Sequence, residues 1–500
     1  MRRWVIWVGV LLIILGIVFT CLGIFVWGKD DDAPTIDEGN NEGTQDENQD
    51  GGENNQNGSN EGNTDQSGNQ NTGNENKDGN GNQNENPDIK DENDDPAPPV
   101  PVEKYSTIDI SMIASNEINL STQTHKTVVI DCTKELATCS EEGIRICNKQ
   151  IIITSNIAKV IFKGANTADS RKYIGGINIK IEDRDTQLVI ELDSIGLKLS
   201  QPIYFEGDAT IGILASNNRC YLHHEKNETV IDVKNAIIRV TADLEIGHAG
   251  ASGYVDGLTT VIADSLLING NKVLSVIGAD GIQGADYEAN RGGNGGIAVK
   301  VENLRINESP IVKFVGGNGG QGGQGATGSR GTDGAKGNNE SQGKDPTYGY
   351  NGRPGGQGGP GGQGGRGGNG ASALLIKNSP IISENAQFYL NAGNGGKGGK
   401  GGKGGQGGDG GDGGDDDHWS FIWAGDMSGG EGGKGGPGGE GGQGGEAGLG
   451  GLAIELIDPE ISINVGCTYL SDGVPGSSGD VGDVGSYGYS GDHGDAGSGG

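Results

Sequence analysis

Glycine stands at every third residue from Gly316 to Gly337 and again, in the same phase, from Gly349 to Gly370. Between the two runs Glu340 and Pro346 replace it without breaking the count. A random low-complexity linker has no reason to return in phase. Three residues per turn is the period of the polyproline-II helix, which makes no internal hydrogen bonds. Ordered backbone must place its N–H and C=O groups somewhere, so such a segment needs neighbouring chains to pair with.

Composition points the same way. Glycine supplies 101 of the 500 residues, hydrophobic residues 32% and aromatics 5%. That is too little apolar material for one continuous core, so an elongated or repeat architecture is expected. The net charge of −32 leaves no basic face for nucleic acid.

Residues 1–28 read as a transmembrane signal anchor. Arg2 and Arg3 precede an apolar run from Trp4 to Trp27, about the 20 residues needed to span a bilayer. A cleavable signal has a shorter apolar core, roughly 7–15 residues, and a small-residue cleavage site. The arginines place the N-terminus in the cytoplasm and the rest outside, which makes this a single-pass plasma-membrane protein with an extracellular bulk. Residues 29–101 are Asn, Gly, Gln and acidic residues with almost nothing apolar, and read as a disordered linker.

From residue 102 short β-branched runs alternate with polar residues: Thr127–Ile130, Ile151–Thr154, Val160–Phe162, Ile177–Ile181, Leu188–Leu192 and Ile211–Ile213. This is the period of strands. A repeat follows. Asn235, Asp264, Asn303, Asn378 and Asp458 each sit three residues before Ile238, Leu267, Ile306, Ile381 and Ile461, and each copy then meets a second apolar group and glycine. Asn and Asp suit tight corners, and stacked corners flanked by Ile/Leu ladders are what a parallel β-solenoid requires. The body, 102–277, is therefore expected to be all-β and solenoidal; a β-sandwich is the alternative. In 278–500 solenoid coils alternate with glycine-rich insertions.

This pattern resembles the right-handed β-helix of pectate-lyase-like proteins, above all glycine-rich, carbohydrate-binding forms on bacterial surfaces. The resemblance implies a right-handed solenoid and a polysaccharide ligand. The calcium-binding aspartate clusters and catalytic arginine of the lyases have no recognisable counterpart here.

The insertions have matched arms, Gly316–Gly337 with Gly349–Gly370 and Gly393–Gly414 with Gly429–Gly450. Each leaves one coil and returns to the next, which a hairpin does most simply. Arms of about 22 residues would extend roughly 68 Å. Their period and layout resemble the polyglycine-II domains of tailed-phage adhesins, whose tips carry receptor-binding loops. Flexible glycine loops are the alternative; doubled glycines suit collagen badly.

The tip Asp415–Ser428 holds Trp419, Phe421 and Trp423 in an otherwise aromatic-poor region, a sugar-stacking or adhesive surface, or a plug that clips the hairpin end. Tyr348 and Tyr350 repeat the idea at the other tip. Asp415, Asp416, Asp417 and Asp426, with His418, offer oxygen ligands of the kind that hold calcium; a solvated charge run is the alternative. No other cofactor is called for. Cys132, Cys139 and Cys147 suggest a disulfide in an exported protein, and His223-His224 is expected at the surface. No nucleophile elbow, phosphate loop or zinc-protease motif occurs. The sequence thus favours a non-enzymatic structural or adhesive protein that binds polysaccharide or another cell-surface ligand. A polysaccharide lyase or hydrolase on the same scaffold is the alternative.

Overall fold

The computed structural model describes residues 103–139, 143–167, 170–248, 256–287, 290–338, 350–415, 430–458, 468–493 and 495. The anchor and linker expected from the sequence lie outside them. No helix among the described residues is long and apolar enough to cross a membrane.

The described chain is all-β, with one short α-helix at Thr133–Ala137. Its 21 strands form a single parallel hydrogen-bonded system, and each coil gives one strand to each of two ladders. The first ladder runs through Tyr105–Asp109 (β1), Thr127–Asp131 (β3), Lys159–Lys163 (β5), Leu188–Asp193 (β7), Ile203–Ser216 (β9), Ile231–Val240 (β11), Val261–Gly270 (β13), Val299–Ile306 (β15), Leu374–Ile376 (β17) and Ile454–Leu456 (β20). The second includes Cys220–His224 (β10), Leu244–His248 (β12), Val273–Ile277 (β14), Ile311–Val315 (β16), Gln387–Asn391 (β19) and Thr468–Ser471 (β21). Parallel neighbours in this arrangement are one coil apart, about 4.8 Å. These contacts are those of a β-solenoid, and the strands expected from period-two runs fall within it.

Alternate residues face inward and stack in register. Val128, Val160, Ile190, Ile213, Ile238, Ile268 and Ile306 occupy one line through seven coils, and all are buried. Each such side chain contributes about 1.5–3 kcal/mol on burial. On the second ladder Phe314 and Phe388 meet edge to face, ring centres 5.2 Å apart.

Two sequence expectations are corrected here. The buried ladder contains Ile268 and Ile382, where the repeat alignment placed Leu267 and Ile381. From Ile376 to Ile382 the chain takes one residue more than from Val301 to Ile306 in the paired coil. The extra residue falls in the Asn-Ser-Pro corner, and one residue inverts the side-chain parity of a strand. In β13 the apolar run Val261-Ile262-Ala263 allows two alignments, and Val261 and Ala263 are the inward members. Cys132, Cys139, Cys147 and Cys220 are free thiols. Cys132 and Cys220 belong to the core, where a thiol packs as a small hydrophobe.

Glycine-rich arms leave β14, β16, β19 and β21: arm 1 (278–287), arm 3 (316–338), arm 5 (393–415) and arm 7 (473–493). Arm 2 (290–296), arm 4 (350–371) and arm 6 (430–451) return to β15, β17 and β20. Successive arms run antiparallel. Gly362 N–H donates to Ala326 O, Gly402 to Gly362 O, Gly442 to Gly402 O and Gly482 to Gly442 O, at 2.7–2.8 Å. Alternate arms run parallel, with Gly325 donating to Lys400 O, Gly401 to Asp480 O and Gly361 to Glu440 O at 2.8–2.9 Å. In arms 4 and 5 two amides in every three thus bond to other arms. The third belongs to the X residue of Gly-Gly-X. Short side chains of the nearest parallel arm serve it in places: Asp280 accepts from Asn318 N–H, Asn318 from Asn394 and Asn394 from Val474. A second ladder runs Asp256, Asn294, Asn369, Leu449. Pro354, Pro360 and Pro437 stand only at X positions, where no arm-to-arm donor is lost.

Gly401 shows why the other positions are glycine. A Cβ there would sit under 3.0 Å from Gly442 O, a separation real Cβ atoms do not show.

Candidate functional site

The outward positions of the first ladder also stack. Lys159, Val189, Gly212, Ile237, Leu267, Arg305 and Ile381 follow one another across seven coils. On one side of this line lie Thr210, Asn235, Ser265 and Asn303, in register. On the other lie Leu214, Arg239 and Asn269. Two adjoining concavities of about 350 Å³ each occupy the line and meet at Ile237. The result is a long groove with an aliphatic floor, amide and hydroxyl walls and cationic ends. Asn235 Nδ2 donates to Asp208 O at 2.9 Å and Asn378 Nδ2 to Asn303 Oδ1 at 2.8 Å, which orients these amides.

Charge in the groove opposes that of the chain as a whole. Lys159 is paired with Glu191 at 2.7 Å. Arg305 Nε donates to Asn307 Oδ1 at 3.0 Å. Neither Arg239 nor Arg305 has a carboxylate partner among the described residues. Among the described residues no Asp, Glu or His lines either concavity, and the walls offer packing and hydrogen bonds.

The two sequence candidates that are described, Tyr350 and Asp415, lie elsewhere, at the far end of the glycine arms. Trp419, Phe421, Trp423, Tyr348, Asp416, Asp417 and Asp426 fall outside the described residues. Tyr350 is 62% exposed, and its carbonyl accepts from Gly414 N–H at 2.8 Å. Gly414 O accepts from Gly430 N–H, and Asp412 O from Gly337 N–H. The points where the chain enters and leaves 339–349 and 416–429 are thus stitched side by side. Asp415 bonds Lys336 at 2.9 Å and accepts from Asp495 N–H at 3.2 Å. The Lys336 bond, aided by that amide, holds the Asp415 carboxyl below the usual carboxylate range. Among the described residues no group of three or more His, Cys, Asp or Glu is placed to hold a metal ion.

His223 and His224 are buried, contrary to the sequence expectation. All five residues of β10 are buried because both of its faces are covered. His223 lies 5.4 Å from the Tyr173 ring, and its Nε2 is 3.2 Å from Glu245. Arg171 and Arg219 stand over the Tyr221 ring, a cation–π arrangement. The His223 hydrogen bond is the main cause that holds the Glu245 carboxyl low.

On β12, His248 lies 3.1 Å from Lys226 O and 2.9 Å from Thr260 Oγ1. Burial pushes its pKa down to about 4. A histidine in the unfolded chain protonates near 6.5, so between these values the unfolded state binds more protons. Stability from this group is complete above pH 6.5 and falls as pH drops towards 4, by up to about 3 kcal/mol. Urea unfolding at pH 7.5 and 4.5 checks this: wild type should lose about that much more stability than His248→Gln across the interval.

No family model matches the chain, and no curated protein or solved structure matches it.

The groove escaped sequence reading. Asn235 and Asn303 stood out only as corner residues, and no sequence motif marks Arg239 and Arg305. A groove is a line across coils, and it becomes visible only once the register between coils is fixed.

Proposed function

We propose that the protein is an extracellular, membrane-anchored structural and adhesive protein that binds polysaccharide along the side of its solenoid. The observation that carries this reading is the groove centred on Ile237. Its aliphatic floor at Ile237 and Leu267 suits the flat faces of sugar rings, and its amide and hydroxyl walls suit their hydroxyls. The unpaired guanidinium groups of Arg239 and Arg305 favour acidic sugars. The groove spans seven coils, about 30 Å, and so favours a polymer over a single small molecule. The apolar run Trp4–Trp27 supports anchoring, and the polar linker would hold the body clear of the membrane. A right-handed coil, a polyglycine-II geometry of the arms and sugar stacking by Trp419, Phe421 and Trp423 belong to the same proposal. Among the described residues Glu191 beside the groove is held by Lys159 and no carboxylate lines either concavity, which favours binding over lyase or hydrolase chemistry.

Arg239→Ala with Arg305→Ala tests the groove against immobilised neutral and uronic-acid polysaccharides. Both side chains are exposed, so melting should not change. Affinity for the acidic polymer should fall about tenfold, roughly 1.4 kcal/mol. Unchanged affinity here, with loss in Trp419→Ala/Phe421→Ala/Trp423→Ala, would move binding to the arm tips. Steady release of sugar ends would establish an enzyme instead.

A further inference from the structure

On two sides of the glycine lattice no further arm lies alongside among the described residues, and each of these sides bears side chains where interior arms have glycine. In arm 5, Gly395, Gly398, Gly401, Gly404, Gly407 and Gly410 face arm 6, and a Cβ on any of them would collide with an arm 6 carbonyl. Arm 7 repeats arm 5 eighty residues later, since Asn394 Oδ1 accepts from Val474 N–H and Asp409 Oδ1 from Tyr489 N–H. The equivalent positions in arm 7 are Pro475, Ser478, Val481, Val484, Tyr487 and Ser490. All are exposed.

Arm 3 behaves in the same way at the opposite side. Gly317, Gly320 and Gly323 lie against arm 1, and a Cβ there would strike Ala279, Ile282 or Ala285 O. Beyond the reach of that shorter hairpin the same phase reads Ala326, Ser329, Thr332 and Ala335, all exposed. Glycine is thus replaced where no described arm lies alongside, at two independent places.

The seat for a further arm beside arm 6 is otherwise built. In arm 4, Gly352, Gly355, Gly358, Gly361 and Gly364 donate to arm 6. The corresponding amides of arm 6, Gly432, Gly435, Gly438, Gly441 and Gly444, have no acceptor among the described residues. A row of open donors on a repetitive edge is a template for adding another chain. An added Gly-Gly-X strand in lattice register would place its carbonyls against the β-carbons of Ser478, Val481, Val484 and Tyr487. Pro475 also removes a donor from that edge.

The geometry points to a steric stop: the side chains at one position in three of arm 7, and of the outer half of arm 3, close the lattice to Gly-Gly-X segments of other copies of this chain. Without them the edge would capture such segments as sheet edges capture strands.

The test uses the full-length chain with Ser478→Gly, Val481→Gly, Val484→Gly and Tyr487→Gly together. The probe is a fluorescent peptide with the sequence of residues 355–370. The variant should bind it at least tenfold more tightly than wild type, or self-associate in sedimentation. A control peptide with alanine at the positions of Gly358, Gly361, Gly364 and Gly367 should not bind. The pair Ser329→Gly and Thr332→Gly reads the same stop on arm 3, which other arms hold in place, and should gain the same property. Equal binding by wild type and both variants, or none by any while the Gly433–Gly445 amides remain protected, would overturn the inference.

Discussion

Gly398→Val with Gly401→Val is expected to dismantle the glycine lattice, while Lys400→Val between them is tolerated. Added β-carbons at Gly398 and Gly401 would fall under 3.0 Å from the carbonyl oxygens of Gly445 and Gly442. Those oxygens are backbone, so no rotamer change relieves the contact. Arm 6 must move, and its Gly442 and Gly445 amides would then lose their bonds to Gly402 and Gly399 O. Unmade buried hydrogen bonds cost about 1–3 kcal/mol each, and the loss should spread because each arm is held only by its neighbours. More than about 4 kcal/mol of destabilisation is expected, with loss of amide protection in arms 4 to 7. Lys400 points to solvent and pairs with Asp483 at 3.1 Å, both side chains exposed. An exposed pair is worth about 0–1 kcal/mol. Melting of the three proteins and hydrogen exchange of residues 395–411 read the difference. Three silent substitutions would mean that the arms are loops.

Ile306→Asp should abolish cooperative unfolding of the solenoid, whereas Ile381→Asp should shift stability by no more than about 0.5 kcal/mol. Ile306 is 0% exposed and stacks between Ile268 and Ile382; Ile381 is 62% exposed. An aspartate at 306 would be an unpaired carboxylate inside a stack of isoleucines, where an isolated charge is too costly to remain ionised. The damage would reach both neighbouring coils, because each coil buries its face only against the next. Chemical denaturation of the two variants separates the assignments, and equal effects would place the ladder on the wrong residues.

How much of this was legible in the sequence follows from which interactions repeat along the chain. The strands near Val160, Leu188 and Ile211 announce themselves by alternation. Ile306 was readable as a ladder residue because Asn303 fixes its distance from a corner. Ile381 was not, because Pro380 lies in a longer corner and parity depends on a single residue. The three-residue glycine phase was plain, and the need for lateral partners followed from unpaired backbone. What it withheld was the identity of each partner, since Gly-Gly-X reads the same after a slip of three residues. Register rests instead on sparse marks such as Asn318 beside Asn394, and on cross-arm pairs such as Lys397 with Asp480. At the candidate site, Tyr350 and Asp415 were legible as tip residues by their place in the hairpins. The groove needed the coil-to-coil register, and the buried His223 needed the cover of Tyr173, neither of which is local in sequence.

Amide hydrogen exchange across arm 5 tests the central claim, that the glycine arms form an ordered hydrogen-bonded lattice. The account predicts a three-residue rhythm. Gly398 and Gly399, Gly401 and Gly402, and Gly404 and Gly405 donate to arms 7 and 4 and should exchange slowly. Lys397, Lys400 and Lys403 have no acceptor among the described residues and should exchange fast. Asn394 and Asp409, also at X positions, donate to Asn318 and Asp333 side chains and should be protected. Uniform exchange of all these amides at the rate of an unstructured chain would contradict the lattice.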